Sequence, residues 1–311
     1  MTRYEVPGPP HRLWTTRHQP VLTISDGDEI SFTVQDGGGA QFENYKNGDP
    51  IPTFDWDLSY PLVGPIMVND AEPGDTIELE VLDYESGTWG WTGVFPGMGL
   101  LAEDFTEPVL HRWDLTTPGG ADFKGIATIP LRPFCGVMAC TPDVDEPPTP
   151  QEMIPPGHFG GNMDCKDLVA GSRLFLPVQT PGARVAFGDP HAAQGDGEVC
   201  VTAIEAGLSG SIRVRLHKGK TIAAPQFQTA GPLGGGVDEA GYYATMGIGP
   251  DLMGAAQDAL RSMIDHLGSE YGVDPVDAYI LSSVAVDLKI TEVVDQPNWV
   301  VSAYLPRSIM Q

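Results

Sequence analysis

Positive charge is scarce in this sequence. Its 311 residues carry 17 Lys and Arg against 42 Asp and Glu, a formal net charge of −25. Such a chain lacks the clustered cations that neutralise phosphates, so nucleic acid and anionic membrane surfaces are poor partners. Long apolar runs are missing too. No stretch approaches the ~18 consecutive apolar residues that mark a membrane-spanning helix. The segment Met1–Gln19 holds Pro7, Pro9 and Pro10 and no apolar core of the signal-peptide kind, so the expected location is cytoplasmic. Cysteine is limited to Cys135, Cys140, Cys165 and Cys200. Their spacings match neither a paired CxxC zinc site nor a dense disulfide scaffold, and in a reducing compartment they are expected to be free thiols. No GxxxxGK[ST] is present, and no GxGxxG joins a strand to a helix, so the common nucleotide-binding loops are excluded.

What the chain does have is turns and short alternating segments. There are 38 Gly and 29 Pro with no collagen period to account for them, and 41% of residues are hydrophobic, enough for a packed core. Glu29 to Val34 places Ile30, Phe32 and Val34 on one face, and Thr76 to Leu82 does the same with Ile77, Leu79 and Val81. This period of two reads as half-buried strands. Further strand patterns run over Arg173–Val178, Glu198–Ile204, Ser211–Leu216 and Val284–Val294. Residues 85–122, rich in Gly, Trp and Pro, read as a structured loop, and the proline-rich 141–160 as an extended one. One helix stands out after Pro250, with Leu252, Ala256, Ala259, Met263 and Leu267 at helical spacing and Gly268 to end it. The expected fold class is therefore mainly β with one strong late helix. A doubly wound sheet is excluded, because it would need helices alternating with strands. The expected organisation is a β-rich body over 1–225 that carries most of the candidate site, with an α+β part over 226–311 packed on it.

The densest run of reactive groups is Gly188 to Glu198, which holds Asp189, His191, Gln194, Asp196 and Glu198. An imidazole among carboxylates suits a divalent metal of the zinc type, and it also suits general acid–base work. An acidic hairpin whose Asp side chains only cap turns is the competing explanation. A second candidate is Gly160-Gly-Asn-Met-Asp164, where Asn162 offers an amide to a substrate and Asp164 a carboxylate to a metal; an Asx-turn is the alternative. Asp36 ends a strand before three glycines and is either a site residue or an ordinary turn residue. Trp89 and Trp91 either wall a small pocket or fill the core. Cys135 and Cys140, in the apolar run after Arg132-Pro-Phe134, are potential nucleophiles, but buried structural thiols are the better reading.

These motifs resemble the acetamidase/formamidase family. The likeness runs in order through Gly64-Pro65, Ala71-Glu-Pro-Gly-Asp75, Trp89-Gly-Trp91, Pro96-Gly-Met-Gly99, Arg132-Pro-Phe134, Gly160-Gly-Asn-Met-Asp164 and Asp189-Pro-His-Ala-Ala-Gln-Gly-Asp-Gly-Glu198. It resumes in Ala278-Tyr279, Val286-Asp-Leu288 and Val294-Asp-Gln-Pro-Asn298. The resemblance implies a β-sandwich-like body with a smaller α+β part. It implies hydrolysis of small aliphatic amides to carboxylate and ammonia, an associated metal ion, and a homodimer or higher oligomer. On that basis the expected metal ligands are His191, Asp164, Asp189 and Asp36, with zinc ahead of calcium. Glu198 is the expected general base, with Asp196 in that role instead or orienting His191. Asn162 would stabilise the oxyanion, and Trp89, Trp91 and Phe134 would shape the pocket. Two alternatives stay open: an amidase with a cysteine nucleophile, and a non-enzymatic β-sandwich module that binds Ca²⁺ or a small ligand through the acidic loop.

Overall fold

A computed structural model describes residues 1–144, 146–231, 233 and 240–311. The protein is mainly β, with 38% strand and 13% helix. Twelve strands join one large sheet that folds over on itself. Its principal path runs through Gly160–Asn162, Phe134–Cys140, Val185–His191, Glu205–His217, Thr76–Val94, Arg173–Pro177 and Gln226–Gln228. Glu29–Val34 pairs on Glu205–His217, and Leu62–Val68 pairs on Val185–His191, so the sheet branches into two layers. The alternating residues meet between them. Ile30, Phe32, Ile77, Leu79 and Val81 are all buried, and the rings of Phe32 and Phe187 stack at 5.2 Å. Each such side chain contributes roughly 1.5–3 kcal/mol by leaving water.

The C-terminal part holds two helices on a three-stranded sheet of Tyr242–Gly249, Trp299–Pro306 and Asp287–Glu292. Helix α1 covers Leu252–Tyr271. Its N-cap is Asp251, whose carboxylate accepts from Gly254 N–H at 2.7 Å, and its end is Gly272 in the left-handed conformation, not Gly268. Helix α2, Pro275–Ala285, was not expected; only its last two residues, Val284 and Ala285, fall within the strand expected over Val284–Val294. Ala278 to Val284 are buried on every side of it, so no polar face interrupts the apolar run and no helical period shows. Two further expectations are corrected. Residues 85–94 are not loop but the second half of the 19-residue strand Thr76–Val94. Residues 198–204 are not strand but turns that lead into Glu205–His217. Among the described residues no helix is long and apolar enough to cross a membrane.

One buried group gives the fold a pH signature. His111 packs against Trp113 and Phe123, and burial, then the Lys124 ammonium, push its pKa down from 6.5 to about 4. Between these values the unfolded chain binds the proton and the native one does not, so stability rises with pH. The contribution is complete above pH 6.5 and is lost as pH falls towards 4. His111→Gln is expected to flatten the acid limb of Tm against pH within that window. An unchanged slope would rule out His111 as its source.

Candidate active site

One row of the main sheet forms the floor of the site. His191, the last residue of its strand, lies opposite Glu205, and Glu205 lies opposite Trp91. Directly opposed residues point to the same face, so imidazole, carboxylate and indole stand side by side. Backbone hydrogen bonds Ala192 N–H to Ile204 O and Ile204 N–H to Ala193 O close the intervening segment as a loop, which carries Glu198. The turn after Gly160–Asn162 carries Asp164, whose N–H bonds Gly136 O. Four residues at this centre adopt left-handed backbone: Tyr60 (φ 49°), Asp164 (46°), Asp189 (50°) and Glu198 (43°). Side chains pay about 1–3 kcal/mol for such conformations, and this strain typically collects at functional sites.

The imidazole of His191 is fully buried. Its Nε2 lies 3.2 Å from Glu205 Oε1, 3.5 Å from Asp189 Oδ2 and 3.9 Å from Glu198 Oε1, yet it makes no hydrogen bond to any of them. Nδ1 is 2.8 Å from Gln194 Oε1. Gln194 Nε2 donates to Asp164 O at 2.7 Å, which fixes the amide so that Oε1 accepts from Nδ1–H. Nε2, the other ring nitrogen, then points at the carboxylates. Asp164 belongs to the same group: its ligand atom, with those of Asp189 and His191, falls within 4.8 Å of the others. Asp164 Oδ1 has no hydrogen-bond partner, while Oδ2 accepts from Asn162 Nδ2 at 2.7 Å.

Electrostatics at this centre are severe. Burial first, with Asp189 adding to it against His191, pushes Asp164 up to about 6. Burial and then Glu205 push Asp189 up to about 6. Burial and then Asp164 raise Glu198 well above the usual carboxylate range. For His191 burial opposes charge, but Glu205 and Asp189 outweigh it and raise the ring's pKa. Burial and the surrounding acids also keep the Tyr60 hydroxyl protonated.

The acids face a cavity of about 100 Å³, lined by Asn162, Asp164, Asp189, Glu198, Glu205 and Tyr60. Phe54, Trp56, Trp91, Phe95, Met98 and Ile154 also line it. Among the described residues no Lys or Arg lines it.

The expected residues divide accordingly. His191, Asp164, Asp189, Glu198, Asn162 and Trp91 come together. Asp36 does not: its oxygens accept from Trp91 Nε1 at 2.8 Å, Gly38 N–H at 3.0 Å and Ala40 N–H at 2.9 Å, so it anchors the indole instead of facing the acids. Asp196 lies on the far side of Gln194, 3.5 Å from Lys166, in a separate cavity of about 240 Å³. Orienting His191 therefore falls to Gln194. Trp89 sits under the Arg112 guanidinium on a surface groove. Phe134 does not line the cavity but packs edge-on against the His191 ring at 5.2 Å, supporting it from the core. Asn162 lines the cavity, where its Nδ2 donates one hydrogen bond to Asp164 Oδ2 and its Oδ1 has no hydrogen-bond partner. The thiols of Cys135 and Cys140 are buried outside the cavity, and burial pushes Cys135 up to about 12 and Cys140 further. Glu205 and Tyr60 went unnoticed in the sequence. The signal for Glu205 was an acid between apolar residues, Ile204 and Ala206, at the start of a strand. Nothing around Tyr60 distinguishes it.

An imidazole and four carboxylates thus gather around one cavity of a β-sandwich-like body. The chain belongs to the acetamidase/formamidase family, whose model matches residues 5–149 and 148–311, and it is an amidohydrolase of that type. It is 27% identical over 384 residues to a formamidase of Methylophilus methylotrophus, covering 99% of this chain and 91% of that one. It is 27% identical over 273 residues to an acetamidase of Mycolicibacterium smegmatis, covering 69% and 67%. The structure resembles a gamma lactamase from Delftia acidovorans with a TM-score of 0.88, at 26% identity and covering 97% and 89% of the two chains. It also resembles an acetamidase from Bacillus halodurans with a TM-score of 0.65, at 26% identity and covering 97% and 96%.

Proposed function

We propose that the protein hydrolyses small amides, of the formamide and acetamide kind, to carboxylate and ammonia with a divalent cation held by His191, Asp164, Asp189 and Glu205. The observation that carries this is the unpartnered Nε2 of His191 facing three carboxylate oxygens within 3.9 Å. Four carboxylates line the cavity beside the buried imidazole, with no lysine or arginine among the described lining residues, and buried charge of one sign needs a counter-ion or protons. An imidazole nitrogen among carboxylates favours zinc over calcium, which prefers all-oxygen sites. When bound, the cation supplies Lewis acidity that polarises the amide carbonyl and acidifies water.

The chain's own residues do the rest. Glu198, whose carboxylate lines the cavity and stands 3.9 Å from His191 Nε2, takes the proton of the attacking water. It then delivers that proton to the amide nitrogen, so the C–N bond breaks and ammonia leaves. Tyr60, held neutral, is the hydroxyl donor available to the carbonyl oxygen as negative charge builds on it. Gln194 and Phe134 hold the His191 ring in place.

Exhaustive chelation is expected to abolish ammonia release from acetamide, and added zinc to restore it. Full activity after chelation would contradict the reading. The TM-score of 0.88 to the gamma lactamase supports a second reading with the same chemistry, the opening of a lactam ring. Its product is an amino acid and no ammonia, so chromatography of the product separates the two.

A further inference from the structure

Phe54, Trp56, Trp91 and Phe95 line the same cavity as the acids and, with Met98 and Ile154, make up its apolar wall, an aromatic box. The box is already assembled. Phe54 meets Trp56 edge-on at 4.9 Å and Phe95 at 5.8 Å, and Trp91 meets Phe95 edge-on at 6.2 Å. Trp91 is held from behind by the Asp36 carboxylate at 2.8 Å and by Phe42 at 4.8 Å. Rings locked in this way cannot collapse onto a small ligand. Formamide and acetamide present a hydrogen or a methyl to that wall and leave most of it in contact with water. A volume of about 100 Å³ is somewhat smaller than the ~150 Å³ of an enclosed cavity known to take benzene, and this one opens to solvent. One ring or one branched chain fills it.

We infer that the site selects amides whose carbonyl bears a compact apolar group, a branched alkyl or a single aromatic ring, over formamide and acetamide. The inference rests on the amide-hydrolase reading of the site. The acyl group lies in the aromatic box while the amide faces the carboxylates. Phe95, one of the lining rings, determines specificity, making no contact with the reacting atoms.

The test is kcat/KM for ammonia release from formamide, acetamide, isobutyramide and benzamide, using the metal-loaded full chain. Isobutyramide or benzamide is expected to exceed acetamide by at least about tenfold, the effect of the first well-placed hydrocarbon groups in an apolar pocket. Phe95→Ala is expected to reduce that ratio towards one. A loss of packing alone would lower both substrates together and leave the ratio unchanged, which would contradict the role given to Phe95. Highest kcat/KM on formamide or acetamide would overturn the inference and leave the hydrolase reading intact. Ammonia from none of the four substrates would overturn the hydrolase reading and the inference with it.

Discussion

Glu198→Gln is expected to lower kcat/KM on amides by about 10²- to 10⁴-fold, the usual cost of losing a general base. The substitution keeps size and shape and removes only the ability to take a proton. Glu198 Oε1 stands 3.9 Å from His191 Nε2, further than the Glu205 and Asp189 oxygens at 3.2 Å and 3.5 Å. Those groups and Asp164 remain in the variant, so its metal content should match the wild type. The combination of lost turnover and retained metal distinguishes a base from a ligand. A variant that loses both would place Glu198 among the ligands, and a fully active variant would remove it from the mechanism.

Gly37→Ala is the second large effect. A methyl group at this position would lie 1.9 Å from Asp189 Oδ1 and 2.9 Å from Glu205 Oε2, well inside van der Waals contact. The backbone of Gly37 is not in the left-handed region, so alanine fits the chain itself. The nearest atoms in the way belong to two carboxylates of the site, which must move. Displacements of about 1 Å at a catalytic centre cost on the order of 10²-fold. The expected result is a loss of that size in kcat/KM with a near-normal far-UV spectrum and Tm. Activity close to wild type would mean that these carboxylates need not hold their positions.

The parts of the fold visible in the sequence are those governed by local periodicity. Ile30, Phe32 and Val34 alternate because one face of their strand is buried, and the spacing of Leu252, Ala256 and Ala259 follows from α1 packing one face on a sheet. Helix α2 was hidden because it is buried all round. The Trp89–Trp91 segment was hidden because its strand is long, glycine-rich and irregular in register. The run from Asp189 to Glu198 revealed the chemistry of the site but not its directions. Asp196 is two residues from Glu198 yet opens on another cavity, because the turn between them reverses the chain. Glu205 and Tyr60 reach the site across the sheet and from a loop more than a hundred residues away, distances over which pattern alone carries no information.

The central claim is that His191 and its carboxylate neighbours hold a divalent cation. Elemental analysis of the purified chain beside its His191→Ala variant tests it most directly. About one tightly bound divalent ion per wild-type chain is expected, the occupancy of a single closed donor set, and almost none in the variant. A wild-type chain that hydrolyses amides at full rate while carrying no metal would contradict it.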